Sequence, residues 1–464
     1  MVFSSLIFLG MFLPITLGLY YISKNNTYRN IILLIASLIF YAWGEPMLIL
    51  VMLSSAFVGY LSAFGISKWR GTWKCKASLI AALVVDIGFL GLYKYAGFFV
   101  SNFNSLFGTA IKFEGFALPL GISFYTFQIL SYVIDVYRKE AGLQKSFYKF
   151  LLYVSMFPQL VAGPIVRYVD IEKQINERKC TAEDFQYGVM RFVQGMFKKT
   201  VLANCAGSIV AALIGEDMGT LSTAGAWFGM VMYAFQIYFD FSAYSDMAIG
   251  MGRFFGFKFK ENFDYPYTSK SITEFWRRWH MSLGTFFRDY VYIPLGGNRK
   301  HQLFNIAVVW FLTGFWHGAS WNFIFWGVYY GIWLIFEKKV IFKFIEKIPG
   351  WIRLIYSNII VLGGWILFYF TDLSKLKEFF RAAFGKNPGA SDVVFKFQAM
   401  SHIWLILIMV ICATPLIKII AKKIRDKSPN LFTVLLVITV IAVMLMCFAL
   451  LVKQSYNPFL YFRF

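Results

Sequence analysis

The side chains best suited to chemistry in this 464-residue chain are two of its four histidines. His280 lies in Glu274-Phe275-Trp276-Arg277-Arg278-Trp279-His280-Met281-Ser282-Leu283, and His317 in Gly314-Phe315-Trp316-His317-Gly318-Ala319-Ser320-Trp321-Asn322. A neutral imidazole takes the proton of an attacking hydroxyl, and desolvation in an apolar chamber keeps it neutral. His317 falls between two apolar runs, where an ionisable group is costly and usually faces a bundle interior or a cavity. Gly314, Gly318, Ala319 and Ser320 permit close approach, while Trp316 and Trp321 are expected to wall off a narrow chamber. The plainer reading of His317 is a histidine hydrogen-bonded between helices. For His280, which follows an Arg-Arg pair and a tryptophan, it is an interfacial anchor. His301 and His402 read as loop and interface residues.

Asp240 and Asp246 are the other intramembrane candidates. Six residues apart, they do not share one helical face. They read as partners of arginines or caps of a broken helix, with Arg277, Arg278, Arg288 and Asp289 as the other half of such a network. Two carboxylates without a histidine are a weak metal signal, and the five cysteines are scattered without ligand spacing, so no metal is expected. No GxSxG, phosphate loop, HExxH or dinucleotide fingerprint occurs.

The elements that must hold these residues follow from composition. With 59% hydrophobic, 20% aromatic and 15% charged residues, the chain is not an ordinary soluble enzyme. At about twenty residues per crossing it has room for roughly ten to thirteen crossings. The net charge of +21 comes largely from clusters at the ends of apolar runs: Lys68 to Lys76, Arg138 to Lys149, Lys198 with Lys199, Lys338 to Lys347 and Lys422 to Lys427. These read as cytoplasmic anchors in contact with anionic lipid; a docking surface for an acidic carrier or nucleotide-bearing donor is the alternative, and nucleic acid is not expected. The first run, Leu6 to Tyr21, lacks a basic lead and a cleavage pattern and is expected to stay as a span, with its N-terminus outside.

Pro158 and Gly163-Pro164 predict a kinked or re-entrant segment between Phe150 and Val166. Met218 to Met251 has room for one long tilted helix. From 253 to 300 charge and arginine-aromatic interleaving exclude a span and predict a lobe of short amphipathic helices carrying His280. Helices within 303–336 carry His317. The fold expected is therefore all-α, one polytopic membrane-embedded domain over 1–464.

At these residues the sequence resembles the membrane-bound O-acyltransferase superfamily, in its bacterial branch that O-acetylates alginate, peptidoglycan or other surface glycans. The matching blocks are Pro119-Leu120-Gly121-Ile122-Ser123-Phe124-Tyr125-Thr126-Phe127-Gln128, Phe157 to Ile165, Asp240 to Gly250, Phe275 to Asp289 with Pro294 to Arg299, and Trp316 to Trp321. The resemblance implies about eleven to thirteen transmembrane or re-entrant helices around a central tunnel, in a bacterial plasma membrane. It makes His317 the essential catalytic histidine and His280 its catalytic or substrate-orienting partner. Trp316, Asn322, Ser282, Arg288, Asp289, Asp240, Tyr125 and Gln128 are candidate substrate contacts, Asn322 and Ser282 as oxyanion donors by proximity alone. The implied donor is acetyl-coenzyme A or a thioester on an acyl carrier protein, used as substrate with no bound cofactor. The acceptor is a polysaccharide hydroxyl or a relay partner such as an extracytoplasmic acetyltransferase. Two other readings stand beside this one: D-alanyl transfer to teichoic acid from a carrier protein, and a transporter or flippase, against which no matched halves are seen.

Overall fold

The computed structural model describes residues 1–160, 163–215, 217–453 and 460. The described residues are mostly helical and form no strand beyond one isolated bridge, Leu221 with Ser391. They divide into two compact units, Met1–Phe192 with Tyr244–Glu261 and Val193–Ala243 with Asn262–Phe464.

Among the described residues, five helices are long and apolar enough to cross a bilayer: Ile49–Lys68, Trp73–Phe107, Ala182–Leu213, Gly350–Tyr369 and Pro429–Lys453. Val393–Ser401 and Ile403–Cys412, bent by 65°, make a sixth if taken as one broken span. Other helices, among them Asn26–Ala42, Thr223–Phe254, Gln302–His317 and Trp321–Lys339, are too short or too polar for that test. The expected number of crossing or re-entrant elements therefore exceeds the helices that qualify on length and apolarity alone. Large apolar side chains stay exposed along these helices, including Ile80, Val84, Ile359, Leu445 and Val452, as expected where lipid is the solvent.

In the first unit, Asn25 begins the helix Asn26–Ala42 by accepting from the Thr27 N–H at 2.7 Å. The predicted kink is present: Phe147–Ser155 stops at Met156, whose ψ of 110° leaves the helical region, and a short helix follows at Phe157–Leu160. Pro158 sits in its first turn, where a missing N–H costs nothing. Val161 and Ala162 of that block lie outside the described residues.

In the second unit, Gln302–His317 and Trp321–Lys339 form a tight helical hairpin. The first helix ends because Gly318 is extended (φ −171°, ψ 157°), and Ser320 then precedes the second. Gly314 and Gly327 let the pair touch: a Cβ on Gly314 would lie 3.1 Å from the Gly327 Cα, and one on Gly327 would lie 3.0 Å from the Gly314 Cα and closer still to the Trp310 carbonyl. Small residues at facing positions are how helices approach where no hydrophobic effect drives them together. Between residues 254 and 301 the α-helices are only seven residues long, Ile272–Arg278 and Met281–Phe287.

Candidate functional site

The position of His280 is set by how its segment is built. Ser271 caps Ile272–Arg278, its Oγ accepting from the Glu274 N–H at 3.0 Å, in the Ser-x-x-Glu pattern of a helix start. A second carboxylate closes the remaining donors. Glu337, fully buried near the end of the hairpin's second helix, accepts from the N–H of Ile272 at 2.6 Å and of Thr273 at 2.8 Å. The Thr273 hydroxyl donates to it at 2.7 Å, and the Tyr356 hydroxyl at 3.2 Å. A carboxylate at a helix N-terminus meets both the free N–H groups and the positive end of the dipole.

Beyond Arg278 the chain turns through His280, whose φ of 45° is left-handed, and starts the next helix at Met281. The turn is held by Asn262, itself fully buried. Its carbonyl accepts from the Met281 N–H at 2.9 Å. Its Oδ1 accepts from the Ser282 N–H at 3.1 Å and the Ser282 hydroxyl at 2.9 Å, and stands 3.2 Å from His280 Nδ1. The other ring nitrogen, Nε2, is buried and has no hydrogen-bond partner among the described residues. The ring packs edge-on against Phe241 at 4.7 Å and near Trp316 at 6.0 Å. Burial holds this imidazole far below its usual range, at about 3, so it is neutral at physiological pH.

His317 is the last residue of its helix and is 7% exposed. Aromatic rings that meet it edge to face include Trp316 at 5.0 Å, Trp326 at 5.0 Å and Phe368 at 5.3 Å. Trp316 is therefore the neighbour of both histidines. Asn322 anchors the Phe368 side of this wall, its Nδ2 donating to the Leu367 carbonyl at 3.3 Å and reaching the Phe368 carbonyl at 3.5 Å. Its buried Oδ1 has no partner among the described residues.

The structure thus gathers His280, His317, Trp316, Ser282 and Asn322 in one unit, with the Ser282 hydroxyl spent on Asn262. The second wall of the His317 chamber is corrected. Trp321 is half exposed and stacks on Phe325 at 5.9 Å; Trp326 and Phe368 take the place expected for it.

The charge network also differs from the one expected. Asp240 pairs with Lys199 rather than an arginine: Nζ to Oδ1 is 2.6 Å, both side chains are buried, and Oδ2 accepts from the Leu460 N–H at 2.8 Å. Asp246, in the other unit, does pair with an arginine, but that is Arg191 at 2.7 Å, which also binds Glu261. Arg278 pairs with Glu274 at 2.8 Å, and Arg288 with Asp289 at 2.7 Å, the Arg288 side chain being 60% exposed. Tyr125 and Gln128 lie buried on Ile122–Arg138 of the first unit. Among the described residues no three His, Cys, Asp or Glu side chains group as metal ligands.

Asn262, Glu337, Trp326 and Phe368 were not singled out from the sequence. Asn262 precedes His280 by 18 residues with no spacing rule to connect them. Glu337, an acid closing an apolar run, is the one that carried a readable signal.

A profile of the membrane-bound O-acyltransferase family matches residues 40–371. Over the whole of both chains the sequence is 37% identical to a probable alginate O-acetylase of Azotobacter vinelandii. It is 34% identical to a peptidoglycan O-acetyltransferase of Helicobacter pylori, covering 83% of this chain and 80% of that one. A teichoic acid D-alanyltransferase of Streptococcus thermophilus is 32% identical over 48% of this chain and 59% of its own.

Proposed function

Since this chain belongs to the membrane-bound O-acyltransferase family, a multi-pass membrane enzyme that transfers acyl groups to oxygen, we propose that it moves an acetyl group from a cytoplasmic thioester to a hydroxyl of a surface polysaccharide or of a relay protein. The observation that carries this reading is the pair of buried imidazoles that both pack near Trp316. His317 is the base. The hydroxyl oxygen attacks the thioester carbonyl carbon while His317 takes the hydroxyl proton. The tetrahedral intermediate then collapses with cleavage of the C–S bond, and His317 returns the proton to the leaving thiolate. Positioned general-base catalysis contributes about 10²- to 10⁴-fold, and the remainder comes from holding both substrates together in a water-poor chamber. His280 orients a substrate through Nε2.

The donor is acetyl-coenzyme A or a carrier-protein thioester, and the site of action is the bacterial inner membrane. Acetyl is favoured over D-alanyl because the likeness to the acetyl-transferring relatives extends over most or all of this chain, whereas the D-alanyl likeness covers less than half. The test is thiol release from acetyl-coenzyme A by the full chain in proteoliposomes, with and without a polysaccharide acceptor. Acceptor-dependent release that His317→Ala abolishes supports the reading; turnover of a carrier-bound D-alanyl thioester alone overturns it.

A further inference from the structure

Asn262 bonds to His280 through an atom whose identity is fixed by a third group. An amide oxygen and nitrogen are hard to tell apart by position, but a backbone N–H can only donate. The Asn262 atom that meets the Ser282 N–H at 3.1 Å must therefore be the oxygen. That same oxygen lies 3.2 Å from His280 Nδ1. Two acceptors facing each other would repel, so Nδ1 carries the hydrogen and donates it. Only one nitrogen of a neutral imidazole is protonated. Nε2 is then left with a lone pair, and it is the ring atom that is buried and has no hydrogen-bond partner among the described residues.

We infer that Asn262 is a positioning residue that locks His280 in the Nδ1–H tautomer, making Nε2 a hydrogen-bond acceptor reserved for an O–H or N–H of the substrate. This rests on the assignment of His280 to the substrate site and narrows its role. An acceptor nitrogen does not stabilise an oxyanion. It meets a donor group, such as the acceptor's hydroxyl or an amide N–H of the thioester's arm. Phe241 and Trp316 pack against the ring and carry no charge, while the Ser282 hydroxyl, 3.4 Å from Nδ1, already donates to Asn262 Oδ1 and so meets Nδ1 only as an acceptor, which favours the same tautomer. The lock is also structural economy: the Asn262 carbonyl and Oδ1 together hold the N–H groups of Met281 and Ser282, so the side chain has no freedom to flip.

The direct test is the ¹⁵N spectrum of the full chain labelled at histidine, in proteoliposomes at pH 7. Only four histidines contribute, and the signals that vanish in His280→Gln are those of His280. The expected result is a protonated Nδ1 and a bare Nε2; a protonated Nε2 overturns the inference. Kinetics give a second arm. Asn262→Leu should lower kcat by about 10²-fold or more, since a wrong tautomer at a catalytic histidine is that costly. Asn262→Asp, which keeps the acceptor, should recover most of the rate at high pH. Its acid limb should lie at higher pH than that of the wild type, because the carboxylate favours the imidazolium. In a His280→Ala background, Asn262→Leu should cost less than about threefold more, as expected for groups acting as one unit. A full additional loss there would make Asn262 merely structural and end the inference. If His280→Ala itself keeps full activity, the substrate role of His280 fails, whatever the spectrum shows.

Discussion

The approach of Gly314 to Gly327 gives a sharp prediction, because the first of these residues lies three positions before His317 on the same helix. A methyl at 314 would sit 3.1 Å from the Gly327 Cα and 3.2 Å from its nitrogen, and well inside contact with the Phe323 carbonyl oxygen. Ordinary contacts of this kind fall between 3.4 and 4 Å. All three obstacles are backbone, so no side-chain rotation relieves them and the helices must part by on the order of 1 Å, a displacement that in an active site costs about 10²-fold. Overpacking of this kind costs about 1–3 kcal/mol. With a factor of ten for each ~1.36 kcal/mol, Gly314→Ala should slow transfer by about 10- to 100-fold if the strain is expressed at the site.

Gly331 provides the control on the same interface. A methyl there meets only the Trp310 Cβ at 3.3 Å and Cγ at 3.9 Å, a slight overlap that a shift of a few tenths of an ångström relieves. Gly331→Ala should cost less than about threefold in rate, within the few tenths of a kcal/mol of a tolerated change. The assay is acetyl transfer in proteoliposomes at matched protein, with membrane insertion checked by fractionation. A wild-type rate for Gly314→Ala, or an equal loss in both variants, would refute the idea that backbone contact at Gly314 sets the position of His317.

Glu337→Ala strands the N–H groups of Ile272 and Thr273, and should lower stability by about 3–5 kcal/mol in a detergent melt while slowing transfer through His280. Glu337→Gln, which keeps one acceptor, should lose less than half as much. Lys199→Met leaves Asp240 buried and uncompensated, so it should destabilise by about 3–5 kcal/mol. The double variant Lys199→Met with Asp240→Leu should recover most of that loss, and equal melting of single and double variants would contradict the pairing. Because His280 is held neutral down to about 3 when folded but has an ordinary value of 6.5, the unfolded chain binds the extra proton between those limits. Stability should thus fall as pH drops from about 6.5 to about 3, with no contribution from this group above that window. The difference in melting between wild type and His280→Gln isolates this slope, and a difference independent of pH contradicts the burial of the ring.

Much of the architecture was legible because membranes impose strong rules. Apolar runs bounded by basic clusters marked the helices, Pro158 marked the break before Phe157, and the arginine-rich stretch around His280 marked the short-helix lobe. The two histidines were legible for the same reason, since a polar residue among tryptophans and glycines is costly without a purpose. The partners were not. Asn262 reaches His280 across 18 residues and Glu337 reaches Ile272 across 65, while Phe368 meets His317 from a separate helix, and contacts across such distances leave no period in the sequence. The ion pairs failed differently. The sequence offered Arg277, Arg278 and Arg288 to the aspartates, but Arg278 and Arg288 pair with their own chain neighbours Glu274 and Asp289, which cost less loop-closure entropy to reach. That left Asp240 to a lysine 41 residues upstream.

We propose His317 as the base of an acyl transfer to a surface hydroxyl. This role is tested most directly by the base-labile acetate on the surface polysaccharide of cells carrying either wild type or His317→Ala, with equal amounts of each protein in the membrane. Acetate in the variant should fall to the level of cells lacking the protein. Acetate at the wild-type level in cells that make only His317→Ala would contradict it.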